Sequence, residues 1–279
     1  MRHDQHDDPT IEDHDRGLQF DLPRLISRRR AVTVFAGSIG SLALAACGSS
    51  PDGGGAAATT PATTSSTASA GGDATTEVPE ETAGPFPGDG SNGPNVLAES
   101  GVVRSDITKS IGDLSGTAGG VPTTIEMTLL DVAGGGKPLA GAAVYIWHCD
   151  REGRYSMYDI ADQNYLRGVQ ETGSDGKVTF KSIFPAAYSG RWPHIHFEVY
   201  PSLAQATTAD SKLRTSQLAL PEETCNTVYA TDGYSQSLQN LAQTSLETDN
   251  VFSDGYSLQL ATVTGNVTDG MTATLNVPV

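Results

Sequence analysis

Through the C-terminal two thirds of the chain, apolar side chains recur at every second position, in short bursts. In residues 123–132, Ile125, Met127 and Leu129 fall on one face, and the run stops at Gly134-Gly135-Gly136-Lys137-Pro138. A second burst covers 142–149 ("AAVYIWHC"), and a third covers 176–184 ("GKVTFKSIF") after the turn-forming Ser174-Asp175-Gly176. Residues 194–200 ("HIHFEVY"), 257–264 ("SLQLATVT") and 272–279 ("TATLNVPV") complete the set. Period-two runs of this length, separated by turn chemistry, predict strands. One short helix is expected over 235–247 ("SQSLQNLAQTSLE"), and no internal repeat is visible. The predicted class is therefore all-β: a single-domain β-sandwich over residues 77–279, with long loops and little helix.

The burst at 194–200 is chemically unusual. His194, His196, Glu198 and Tyr200 share one face while Ile195, Phe197 and Val199 share the other, which predicts a core side and a polar side. Side chains two apart on a strand stand roughly 6.5–7 Å apart at Cα, close enough for two imidazoles to meet on one ion. Two histidines decorating an exposed strand would give the same pattern. The predicted domain contains three histidines, His148, His194 and His196, and His148 reads as a hydrogen-bonded strand residue. No HExxH and no CxxC is present, and Glu198 is the only acid within the strand. Tyrosine is the remaining abundant donor: Tyr188 lies six residues before His194 in "PAAY", and Tyr155 lies in "WHCDREGRYSMYD", with Tyr158 and Tyr165 as rivals.

Upstream of residue 77 the pattern changes. Residues 1–46 read as an export signal: Ser27-Arg28-Arg29-Arg30 resembles a twin-arginine motif, sixteen small or apolar residues follow from Ala31, and Leu44-Ala45-Ala46-Cys47 resembles a lipobox. The apolar stretch is shorter than the about 20 residues a membrane span requires. Residues 47–76 are small and polar with no large apolar side chain, as expected of a flexible tether. The domain is thus expected outside the cytoplasm as a cell-surface lipoprotein or secreted protein, with membrane contact only through a lipidated Cys47. In that compartment a Cys149–Cys225 disulfide and two buried free thiols are both open.

The whole chain carries 33 acidic and 17 basic residues, a net charge of −16. Without the signal, 26 acidic and 11 basic residues remain. That balance excludes nucleic acid as a partner, because phosphates demand a basic surface.

Several ordered motifs together resemble a known family. Trp147-His148-Cys149-Asp150, Gly153-x-Tyr155-Ser156, Asn164-Tyr165-Leu166-Arg167-Gly168, Gln170-x-Thr172, Pro185-x-x-Tyr188 and Arg191-x-x-His194-x-His196-Phe197 are similar to motifs of the intradiol ring-cleavage dioxygenases. The likeness extends upstream to Thr82-x-Gly84-Pro85-Phe86 and Arg104-Ser105-Asp106-Ile107, and so covers most of residues 77–220. The resemblance implies one mononuclear non-haem Fe(III) bound by Tyr155, Tyr188, His194 and His196. It implies cleavage of a small aromatic diol by O2, between the two hydroxylated carbons, to a cis,cis-muconate-type product. Tyr188 would be the displaceable tyrosinate that helps take a proton, Arg191 would stabilise negative charge on the ring, and Gln217 resembles a family glutamine placed after the histidine strand. The ligand set suits the ion, since phenolate and imidazole favour a hard trivalent cation over zinc. The helical dimerisation segment of the family's cytoplasmic catechol enzymes is not found in this sequence.

Two other readings compete. One is a related β-sandwich that holds a metal or carbohydrate at the cell surface without turnover; the other is a divalent-metal protein using His194 and His196 with Glu198.

Overall fold

A computed structural model describes residues 76–279, so the predicted export signal, Cys47 and all but the last residue of the predicted tether lie outside the described residues. The strands are β1 (Pro122–Asp131), β2 (Lys137–Pro138), β3 (Ala143–Trp147), β4 (Arg167–Glu171), β5 (Lys177–Ile183), β6 (His194–Tyr200), β7 (Arg214–Ala219), β8 (Thr262–Asn266) and β9 (Gly270–Pro278). Two short helices, α1 (Glu222–Tyr229) and α2 (Ser235–Leu241), separate β7 from β8. The fold is mostly β, as the periodicity predicts.

One sheet runs β2-β1-β9-β8, with β5 also pairing β1; the other runs β4-β3-β6-β7. In the first sheet β1 and β9 are parallel, which sets the first and last strands side by side. The second sheet is antiparallel throughout. Between the sheets lies the main core. Ile125, Met127 and Leu129 of β1 meet Val144 and Ile146 of β3 and the Ile195, Phe197 and Val199 face of β6. Burial of these side chains supplies the main driving force, at about 1.5–3 kcal/mol each.

The other face of the second sheet departs from expectation. All seven residues of β6 are buried, so the His-bearing face is covered too. A second apolar cluster does the covering: Tyr145 and Trp147 of β3 and Val169 of β4 pack with Val96, Leu97 and Tyr155 from the loops. A polar strand face is therefore enclosed inside the protein, which demands partners for every group on it.

Several boundaries also differ from the periodicity. Arg167–Glu171 and Arg214–Ala219 are strands that the apolar pattern did not predict. Their inward side chains include Arg167 and Gln217, both fully buried. Residues 257–261 alternate like a strand, yet Gln259 and Ala261 bond the backbone of Ala219 and the β8 ladder begins only at Thr262. The predicted helix over 235–247 stops at Leu241, and α1 was not predicted. Pro221 starts α1, Glu222 and Glu223 complement its dipole, and Cys225, Val228 and Tyr229 form its buried stripe. Cys149 and Cys225 are both free and buried, which decides against the disulfide. Burial pushes the Cys149 thiol up to about 12.

Candidate functional site

Register builds the site. His196 pairs with Trp147 on one side and Gln217 on the other, and Trp147 pairs with Arg167. Directly paired residues share a sheet face, so Arg167, Trp147, His196 and Gln217 form one row across the enclosed face. The Trp147 indole lies flat on the His196 ring, with centroids 4.8 Å apart and planes 3° apart.

Two loops bring the tyrosines to this row. After β3 the chain turns through 150–154, where the Asp150 carboxylate accepts from the backbone of Glu152 and Arg154. Gly153 sits at φ +84, where a Cβ would meet Tyr188 Cβ at 3.3 Å; a glycine two residues before Tyr155 therefore lets the two tyrosine loops touch. The Tyr155 backbone N–H donates to Asp159 Oδ2 at 2.8 Å, and Met157 holds a left-handed φ of 70 immediately after. Tyr188 ends the loop after β5, where Asn240 of α2 donates to the neighbouring Ala187 carbonyl.

The result is four converging donor atoms. Tyr155 Oη lies 3.4 Å from Tyr188 Oη. Tyr188 Oη lies 3.1 Å from His194 Nε2, and His194 Nε2 lies 3.1 Å from His196 Nε2. His194 Nδ1 donates to the Trp192 carbonyl at 2.6 Å, which leaves its Nε2 lone pair aimed at the centre. His196 Nδ1 is buried with no hydrogen-bond partner among the described residues.

Burial disfavours every charged form here. Desolvation pushes Tyr188 up to about 12 and Tyr155 well above its ordinary value, pulls His194 down to about 3, and holds His196 well below its ordinary value, with His194 and Arg191 adding to the effect on His196. Burial thus favours the neutral form of all four donors.

Arg191 and Gln217 meet beside them. Arg191 Nη2 donates to Gln217 Oε1 at 2.7 Å, and Gln217 Nε2 donates to the Thr82 carbonyl at 2.9 Å. The segment around Thr82 continues over the centre: Gly84, at φ +70, lies against the His196 ring, and Phe86 packs 5.1 Å from both Tyr155 and Tyr158. Sequence reasoning brought Tyr155, Tyr188, Arg191, His194, His196 and Gln217 forward, and the structure places all six together.

The rivals lie elsewhere or are engaged. Tyr158 bonds Gly88 and Asn92, and Tyr165 packs in a separate small cluster with Leu166 and Ile183. His148 is a structural histidine, bonded to the Cys149 carbonyl and Ser182 Oγ and held neutral by burial at about 4. Glu198, offered as a third ligand beside the histidines, has its oxygens occupied by Tyr200 Oη at 2.7 Å and Lys212 Nζ at 2.9 Å. Among the described residues no three His, Cys, Asp or Glu side chains gather closely enough to hold a metal ion.

Residues 92–211 match the family described as Dioxygenase. Catechol 1,2-dioxygenase 1 of Acinetobacter lwoffii is 46% identical over 57 residues, 19% of this chain and 18% of that enzyme. Hydroxyquinol 1,2-dioxygenase of Nocardioides simplex is 31% identical over 109 residues, 33% of this chain and 36% of that enzyme. In fold, an intradiol ring-cleavage dioxygenase from Tetranychus urticae matches with a TM-score of 0.56 at 24% identity, over 73% of this chain and 96% of that one. The chain has the fold of an intradiol ring-cleavage dioxygenase. It spans well under half the length of the curated relatives it matches.

Intradiol dioxygenases are generally Fe(III)-dependent, and the donor set fits that ion. Two phenol oxygens and two imidazole nitrogens converge, and one imidazole is held by its other nitrogen in the ligating tautomer. A hard trivalent charge also favours the phenolates that burial alone forbids.

Sequence reasoning missed Trp147 as the ring beneath His196 and Asp249 as the ion-pair partner of Arg191, at 2.9 Å. The buried aromatic in "IWHC" hinted at the first; a lone aspartate in a polar loop gave no signal for the second.

Proposed function

We propose that this protein is a ferric intradiol dioxygenase that opens a catechol-type ring between its two hydroxylated carbons, with O2, to a cis,cis-muconate-type diacid. The observation that carries the reading is the chain of contacts from Tyr155 through Tyr188 and His194 to His196, closed at one side by Arg191 and Gln217. Tyr155, Tyr188, His194 and His196 would hold the iron. Bound iron supplies the charge that ionises the diol and couples it to dioxygen.

The protein's own groups have distinct parts. Burial pushes the Tyr188 phenol up to about 12, which suits its Oη to receive a proton from a substrate hydroxyl. Tyr155 is more deeply buried and is anchored at its backbone, which suits a ligand that stays in place. Arg191 is fixed through Nε and Nη2, which leaves Nη1 with no hydrogen-bond partner among the described residues. That nitrogen can donate to negative charge developing on the ring. Gln217 holds the guanidinium from the sheet side, and Phe86 packs against the Tyr155 ring. The same reading has the domain act outside the cytoplasm, carried there by the signal over residues 1–46 and tethered through a lipid on Cys47.

Oxygen uptake by the iron-loaded protein over a panel of catechols, with chromatography of the product, tests this directly. Stoichiometric O2 consumption with a ring-opened diacid is expected. Absence of uptake with every diol, in protein that retains iron, would favour a binding module without turnover.

A further inference from the structure

We propose that Asp249 is a positioning residue of this centre, orienting the Arg191 guanidinium and, through the backbone of Trp192, the imidazole of His194. The inference deepens the dioxygenase reading and rests on it. Asp249 lies beyond α2, in a segment that joins the helices to the last two strands, and its side chain is fully buried. One oxygen, Oδ1, accepts from the backbone N–H of Val251 at 2.8 Å and of Phe252 at 3.2 Å. The other, Oδ2, accepts from Arg191 Nε at 2.9 Å and from the Trp192 N–H at 2.7 Å.

Two lines run from that carboxylate into the site. Through Arg191 it reaches Gln217, since the guanidinium that donates to Asp249 also donates to Gln217 Oε1. Through Trp192 it reaches His194, because the residue whose N–H is held by Asp249 presents the carbonyl that fixes the His194 Nδ1 proton at 2.6 Å. Trp192 is pinned a second time where its indole N–H donates to the Leu220 carbonyl. A buried ionised acceptor makes short, strong hydrogen bonds with little freedom to re-aim, and a buried carboxylate persists only where such donors surround it. The arrangement therefore restrains a substrate-facing cation and a ligand tautomer together.

An asparagine cannot reproduce it. Its single oxygen serves one pair of donors, and its NH2 then faces the other pair. Asp249→Asn is expected to lower kcat about 30-fold with KM for catechol changed less than threefold, and to shift the visible band of the iron-loaded protein, since small misplacements of positioned groups cost up to about 100-fold. A double-mutant cycle with Arg191→Ala separates positioning from stability: in the Arg191→Ala background, Asp249→Asn should lower kcat no more than about threefold further. Full additivity of the two losses, or Asp249→Asn showing only a lower melting temperature with wild-type kcat per bound iron and an unmoved band, would overturn the proposal. Should Asp249→Asn not fold, Asp249→Glu keeps the charge but displaces it by one methylene; a slowed, band-shifted Glu variant supports the role and a full-rate one overturns it. Wild-type protein that retains no ferric iron and consumes no O2 would defeat the dioxygenase reading itself, and this inference with it, whereas an active wild type with an indifferent Asp249 defeats only the inference.

Discussion

Trp147 and His196 lie face to face, their rings 4.8 Å apart and inclined by 3°, on neighbouring strands whose register pairs the two residues directly. Tyr145 also stacks on the indole, at 4.9 Å. The orientation of one donor to the centre is thereby set by the packing of a large, fully buried side chain. Trp147→Ala should cost about 3–5 kcal/mol of stability. Folded variant should also release iron faster than wild type. Denaturant unfolding and a chelator chase measure the two effects; a loss under about 1 kcal/mol with unchanged release would contradict the packing argument.

Arg191 and Tyr188 should separate by phenotype. Arg191→Ala is expected to retain iron and lose turnover by about 100-fold, the scale seen when one fixed donor to developing charge is removed. Tyr188→Phe should change the visible band and slow substrate binding. Iron analysis alongside stopped-flow absorbance distinguishes them, and an Arg191→Ala variant at full rate would remove its assigned role.

Gly88 is held against Arg167. The Arg167 guanidinium is buried and donates to the carbonyls of Phe86, Pro87 and Ser156 and to the hydroxyls of Ser156 and Tyr145, so it ties the segment over the centre to the Tyr155 loop. A Cβ on Gly88 would stand 2.7 Å from Arg167 Nη1, at a φ of +64. Gly88→Ala should therefore destabilise the protein by about 2 kcal/mol, from left-handed strain together with displacement of the guanidinium. A melting temperature within a degree of wild type would show that this contact is slack.

Glu81 gives the domain a pH dependence. Burial, reinforced by Asp254 and Asp249 and opposed by Gln259 and Arg191, raises its carboxyl from 4.5 to about 7. The folded protein holds this proton more tightly than the unfolded chain. Its contribution to stability is fully present below about pH 4.5 and is lost as pH rises through about 7. Because the side chain is only partly buried, the effect should amount to about 1 kcal/mol. Glu81→Gln should flatten that part of the stability profile, and an unchanged slope between pH 5 and about pH 8 would refute the assignment.

Much of this architecture was legible in the chain. The alternation at 194–200 set the histidine strand to the residue, and the apolar faces of 123–132 and 176–184 lie in the main core. What escaped has a common physical cause. β4 and β7 carry polar side chains toward a buried face, so Arg167 and Gln217 interrupted the apolar pattern that marks a strand. Enclosure of the His-bearing face depends on loops distant in sequence, which no local period reports. Leu258 and Leu260 alternate as a strand would, yet their segment packs as a turn whose backbone is bonded to Ala219. Asp249 matters through five hydrogen bonds that exist only after folding.

The four donors would share one ion. The visible absorption spectrum of the purified full chain, titrated with ferric iron and then with catechol, tests it most directly. One equivalent of iron should produce a reddish phenolate-to-iron band that Tyr155→Phe and Tyr188→Phe each alter and that His196→Ala abolishes, and catechol should shift it. A wild-type protein that stays colourless and returns the iron to solution on gel filtration would contradict the central claim.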